Sequence, residues 1–187
     1  MDVALDVDST IFPFHDAMAL LPGAEMINAR DDTYWGWVAD QLGGQDVLPG
    51  YFAAAFTYDH MRRVGLLPGV VEELNALVDR GVRLHVMTRR NPNCAADTAR
   101  FLADEGLRFV SFACEDPFDK VARCQQNGIG VIVDDHPGTI REAHTAGLRS
   151  LTLRYPFNAA VVDELRISHA DTWTELAPML AAAFRLT

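Results

Sequence analysis

From about residue 66 onward the chain alternates regularly between short apolar runs and helix-spaced segments, and that alternation leaves few folds open. Pro68 leads into GVVEELNALVDRG, with Val71, Leu74, Leu77 and Val78 at helical spacing and Gly81 as the stop. VRLHVMT (82–88) then reads as a strand, and Pro92 to Glu105 as a helix ended by Gly106. LRFVSFA (107–113) is the next strand, followed by a helix over about 117–127. VIVDD (131–135) is another buried strand, His136 to Ala146 a helix, and RSLTL (149–153) a last strand. Val3, Ala4 and Leu5, apolar without alternation, supply a strand at the start of the chain. Parallel strands need a crossover of a dozen or more residues, usually helical, and these units have that length. The expected fold is therefore α/β, a three-layer Rossmann-like parallel sheet covered on both faces.

Residues 14–65 interrupt the alternation. They read mostly helical, as FHDAMALL, TYWGWVADQLGG and YFAAAFTYDHMRR, separated at Pro22-Gly23, Gly43-Gly44 and Pro49-Gly50. That is too long for an ordinary strand-to-helix connection. The expected organisation is a core of residues 1–13 and 66–187, with 14–65 as a small helical insertion over the carboxyl end of strand one.

The bulk properties exclude several classes. At 187 residues, 49% hydrophobic and 22% charged, the chain fits one folded domain of ordinary size. No apolar run approaches the roughly 18–20 residues that cross a bilayer, and Asp2, Asp6 and Asp8 would spoil a signal peptide. Cys94, Cys114 and Cys124 are odd in number and form no CxxC pair, so neither a disulfide framework nor a zinc site is expected. A cytoplasmic location is the simplest reading. A formal charge of −10, with Arg62-Arg63 and Arg89-Arg90 the only adjacent basic pairs, argues against a nucleic-acid polymer as partner. It leaves room for a small anionic substrate if the site carries its own cations.

Chemistry-bearing residues fall at the carboxyl ends of separate strands, where open α/β sheets build their sites. They are Asp6 and Asp8 after strand one, Thr88 after VRLHVM, Lys120 opening a later helix, and Asp134-Asp135 after VIV. Each has an ordinary explanation alone: a helix cap for Thr88, a solvated side chain for Lys120, a turn for Asp134-Asp135. Together they pose an electrostatic problem. Two unit charges about 4 Å apart repel by roughly 4 kcal/mol at an effective dielectric of about 20. A hard divalent cation removes that penalty, and Mg²⁺ commonly takes one or two carboxylates plus substrate phosphate. Thr88, the backbone N–H groups beside it and Lys120 would hold phosphoryl oxygens on the opposite side. The set describes a phosphoryl-transfer site.

The order D-x-D-x-T, strand-terminal Thr, Lys, then Asp-Asp resembles the haloacid dehalogenase-like superfamily of phosphohydrolases over essentially the whole chain, including an insertion where that superfamily places its C1 cap. The resemblance implies a strand order of 5-4-1-2-3 and a Mg²⁺-dependent phosphomonoesterase. Asp6 would be the nucleophile that forms an aspartyl-phosphate, and Asp8 the general acid and base. Asp6, the backbone carbonyl of Asp8 and Asp135 would hold the metal, with Asp134 beside them. Thr88, Arg89 and Lys120 would bind the phosphoryl group. An acid at Asp8 points to phosphate chemistry, since the superfamily's dehalogenases lack one there.

Further stretches resemble the 5′(3′)-deoxyribonucleotidase and 5′-nucleotidase type C group: LLPGVVEEL (66–74), VIVDDHPGTI, and a tail of YPFN (155–158), Arg166, Trp173 and Glu175-Leu176. The implied substrate is a (deoxy)nucleoside monophosphate, with another small ester such as a sugar phosphate as the alternative. A nucleic-acid end phosphatase and a non-catalytic phosphate-binding module are weaker readings. This chain has Thr88-Arg89 where the group carries Thr-Ser, and His60 to Arg63 where it carries paired phenylalanines. Phe14, Tyr34, Trp35 and Trp37 would either wall a base or pack the insertion's own core, and Arg62 would meet a second anionic group or stay solvated. His136 reads as a helix-start residue, and Cys114 and Cys124 as buried small hydrophobes. A homodimer stays open beside a monomer.

Overall fold

A computed structural model describes residues 1–25, 27, 39 and 42–184. In chain order these form β1 (Asp2–Leu5), α1 (Phe14–Ala19), α2 (Leu48–Ala55), α3 (Tyr58–Val64), α4 (Val70–Asp79), β2 (Arg83–Thr88) and α5 (Ala95–Asp104). There follow β3 (Ser111–Cys114), α6 (Lys120–Gln126), β4 (Val131–Val133), α7 (Pro137–Thr145), β5 (Arg149–Leu153), α8 (Pro156–Leu165), β6 (Ser168–Ala170) and α9 (Trp173–Ala183). The strands make one parallel sheet in the order β3-β2-β1-β4-β5-β6. This is the expected order, 5-4-1-2-3, with a sixth strand added beside β5. The fold is the α/β, Rossmann-like sandwich that the strand–helix alternation implies. No helix among the described residues is long and apolar enough to cross a membrane.

Both faces of β1 are buried, which explains its unalternated apolar run. Val3 and Leu5 join one cluster with Leu74 of α4, Phe101 of α5 and Trp173 of α9. Ala4 joins the other, with Val121 and Cys124 of α6 and Ala143 of α7. Fully burying a Val or Leu side chain contributes roughly 1.5–3 kcal/mol, so β1 is held from both sides and its carboxyl end is a firm platform. The apolar side chains of α1–α3, among them Phe14, Met18 and Met61, and Phe56 just after α2 join the same cluster as Val3 and Leu5.

Four sequence expectations change. RSLTL is not the last strand: Ser168, His169 and Ala170 pair with Leu151, Thr152 and Leu153, and so short a polar-led segment has no apolar signature. The third strand begins at Ser111 rather than Leu107, because the Arg108 N–H turns to the Asn75 side chain at 3.0 Å instead of the ladder. Pro49-Gly50 does not separate helices. It lies in the first turn of α2, where a missing proline N–H costs nothing. YFAAAFTYDHMRR is instead broken at Thr57, which is extended and whose hydroxyl donates to the Ala54 carbonyl at 3.0 Å. Tyr34, Trp35 and Trp37 lie outside the described residues.

Candidate active site

The carboxyl ends of β1, β2 and β4 converge above the sheet, and the loops leaving them carry the chemistry. The Asp6 N–H donates to the Val133 carbonyl at 3.0 Å, locking the ends of β1 and β4 together. The chain then folds tightly: the N–H groups of Ile11 and Phe12 both donate to the Val7 carbonyl at 2.9 Å. Ser9 takes a left-handed conformation (φ 53°), which an L-residue adopts at a cost of roughly 1–2 kcal/mol. The turn is braced from the tail, since the Trp173 indole N–H donates to the Thr10 carbonyl at 2.7 Å. From α8 the buried Asn158 amide donates to the Asp135 carbonyl just past β4 at 3.1 Å and to that of Leu153 at 3.0 Å. The YPFN and Trp173 signature therefore buttresses both acid-bearing loops.

Asp6, Asp134 and Asp135 are buried and offer carboxylate oxygens within 4.8 Å of one another. Lys120, buried at the start of α6, bridges two of them, donating to Asp6 at 2.5 Å and to Asp134 at 2.7 Å. Its ammonium has three donors, so one remains for a further acceptor. Asp134 also accepts the His136 N–H at 2.9 Å, so each of its oxygens meets one protein donor. Asp135 differs: among the described residues no donor meets its carboxylate. Burial, then Asp6 and Asp134, push its carboxyl well above the usual carboxylate range. Asp6 is raised from 3.8 to about 7, mainly by burial, with Lys120 opposing and Asp134 and Asp8 adding to the rise.

A hard cation fits this donor set. Asp6 and Asp135 supply carboxylate oxygens that are costly to ionise without one. The Asp8 carbonyl accepts no hydrogen bond from the described residues. The Thr139 hydroxyl, nearly fully buried in the first turn of α7, has no partner among the described residues, and Thr139 lines the same cavity, as would suit a water held by the ion.

Thr88 closes β2 with its hydroxyl oxygen accepting the Arg90 N–H at 3.3 Å, and it lines the cavity. The two arginines that follow part company. Arg89 is exposed and donates through Nε to the Phe118 carbonyl at 3.1 Å, leaving the end of its guanidinium at the cavity. Arg90 is buried and grips Asp8 with both arms, at 3.0 and 2.8 Å. It also donates to Thr98 at 3.0 Å and lies over the Phe56 ring, 4.1 Å from its centroid. In the sequence Arg90 stands out only as half of a basic pair, with no role attached.

These groups floor a cavity of about 750 Å³ whose roof is apolar, formed by Phe14 of α1 and Leu48, Phe52 and Phe56 in and just after α2. Phe14 is thus brought to the site. Arg62 is not among the residues lining it and pairs with Glu105 on α5 instead. Trp35 lies outside the described residues. His136 caps α7 by accepting the Thr139 N–H at 3.3 Å, and burial lowers its pKa. Cys124 is buried as expected, but Cys114 is only half-buried.

No family model matches the sequence, and no curated protein matches it. Solved structures do. A HAD family hydrolase from Deinococcus radiodurans, with bound phosphate and sodium, is 20% identical with a TM-score of 0.68, over 100% of this chain and 97% of that one. A predicted phosphoglycolate phosphatase from Haemophilus somnus is 16% identical with a TM-score of 0.63, over 95% and 96%. An L-2-haloacid dehalogenase is 18% identical with a TM-score of 0.57, over 97% and 98%. The likeness is one of fold, and it spans enzymes named for different chemistries.

Proposed function

We propose that this chain is a divalent-metal-dependent phosphomonoesterase of the haloacid dehalogenase-like type, with residues 14–65 as its cap. The observation that carries the reading is the convergence of Asp6, Asp134 and Asp135 within 4.8 Å of one another, with Lys120 set between the first two. Such a cluster binds a hard cation and meets an anion from the lysine side. Asp6 and Asp135, with the Asp8 carbonyl, would hold Mg²⁺, which supplies charge neutralisation for the transferring phosphoryl group. An oxygen of Asp6 attacks phosphorus and the ester P–O bond breaks, the departing oxygen taking a proton from Asp8. Water then attacks the aspartyl-phosphate, Asp8 recovers a proton, and the P–O bond to Asp6 breaks to release phosphate. Thr88, Arg89 and the third donor of Lys120 hold the phosphoryl oxygens. Arg90 keeps Asp8 oriented through its two-armed grip.

The substrate we propose is a (deoxy)nucleoside monophosphate. The apolar roof supports a flat ring, the cavity is of a size that holds such a molecule, and the tail signature resembles that of nucleotidases. A sugar phosphate is the second reading, favoured by the polar rim of Gln45, Asn91 and Asn93. Phosphate release across nucleoside monophosphates, sugar phosphates and a 2-haloacid control, with added Mg²⁺, separates these. The expected result is release from monophosphates, none of halide, and a loss of at least about 10⁴-fold in Asp6→Asn. Activity untouched by Asp6→Asn or by a chelator would overturn the reading.

A further inference from the structure

We infer that the site selects against a second negative charge on the leaving group, taking monoesters of neutral or cationic alcohols. This inference rests on the phosphomonoesterase reading and narrows it. It comes from the charge inventory of the cavity lining among the described residues. Lys120 gives two of its three donors to Asp6 and Asp134, and Arg90, its side chain fully buried, directs its donors to Asp8, Thr98 and the Met61 sulfur. That leaves Arg89 as the lining cation with no carboxylate partner among the described residues. Arg89 follows Thr88 directly and so sits at the phosphoryl end. A divalent ion would balance the buried acids, and the ester's own phosphate would then occupy Arg89 and the remaining lysine donor. Among the described lining residues no cation is left for a second anion.

The outer wall adds a positive preference. Asp97, in the first turn of α5, and Asp116, just beyond β3, line the cavity and are solvent-exposed. One oxygen of Asp97 accepts the Tyr58 N–H at 3.3 Å, and the other is free among the described residues. Asp116 has no partner there. A carboxylate or second phosphate on the leaving group would face these charges without compensation. Hydroxyl or ammonium groups would instead find acceptors. An ester such as phosphoglycolate, whose leaving group carries a carboxylate, is therefore a poor substrate even though a structural neighbour is named for it.

The test uses near-isosteric esters whose leaving groups differ in charge: phosphoethanolamine, 2-hydroxyethyl phosphate and phosphoglycolate. A nucleoside 5′-monophosphate is compared in the same way with its 3′,5′-bisphosphate. With the full chain and saturating Mg²⁺, kcat/KM for the extra-anion member of each set should be lower by at least about tenfold, which is about 1.4 kcal/mol. Asp97→Asn and Asp116→Asn should narrow that ratio. Equal rates, or a preference for phosphoglycolate, would overturn the inference while the phosphatase reading stood. A gap that neither variant narrows would overturn the assignment to these two carboxylates. No release from any ester, p-nitrophenyl phosphate included, would overturn the phosphatase reading and this inference with it.

Discussion

Burial pushes the Asp6 carboxyl up to about 7, and Asp135 moves in the same direction, because both are held out of water beside other acids. A carboxyl raised in the folded state binds its proton more tightly there than in the unfolded chain. Between about pH 4 and pH 7 the native state therefore holds more protons, and stability falls as pH rises through that window. A divalent ion must displace those protons. The Tm of chelated protein should accordingly fall from about pH 5 to pH 7.5, and the Mg²⁺-induced rise in Tm should be larger at the higher pH. An equal or larger Mg²⁺ effect at pH 5 would contradict this account. Asp6, Asp8, Thr88 and Asp134-Asp135 at strand ends and Lys120 at a helix start were legible in sequence as candidates, because position and residue type suffice to name them. Which of two adjacent arginines turns inward was not, since composition treats Arg89 and Arg90 alike.

Beyond their apolar packing, two of the polar contacts that tie the helices between β1 and α4 to the rest of the chain differ greatly in weight. Arg90 reaches from the end of β2 to Asp8, Thr98, and the Met61 sulfur on α3, while lying over Phe56. Its side chain is fully buried and that of Asp8 is 23% exposed. Removing one partner of such a pair strands the other, and Arg90→Ala should cost about 3 kcal/mol. Arg62 and Glu105 join α3 to α5 at the surface, where ion pairs contribute little. Arg62→Ala should shift the denaturation midpoint far less than Arg90→Ala, and comparable losses in urea titrations would contradict this weighting. The helical character of the described parts of 14–65 was readable in sequence. Its internal breaks were not, because Pro49 suits a first turn as well as a linker and Thr57 ends a helix through a local hydroxyl bond.

At the scale of the molecule, the strand–helix alternation specified a parallel sheet, and the sheet placed three loops at one edge. β6 escaped notice because its pairing with β5 comes from tertiary context rather than an apolar run. The tail nonetheless matters to the site, for Asn158 and Trp173 brace the Asp135 and Thr10 carbonyls. A fold alone does not choose a reaction, and the neighbours of this one include a phosphatase and a dehalogenase by name. The choice rests on Asp6 acting as the nucleophile toward phosphorus. The most direct measurement is to quench the reaction with acid during turnover of a phosphate monoester, reduce with borohydride and sequence the peptides by mass spectrometry. The account predicts homoserine at position 6, formed only when both Mg²⁺ and ester are present. Turnover with residue 6 unmodified, or with the reduced residue found elsewhere, would contradict it.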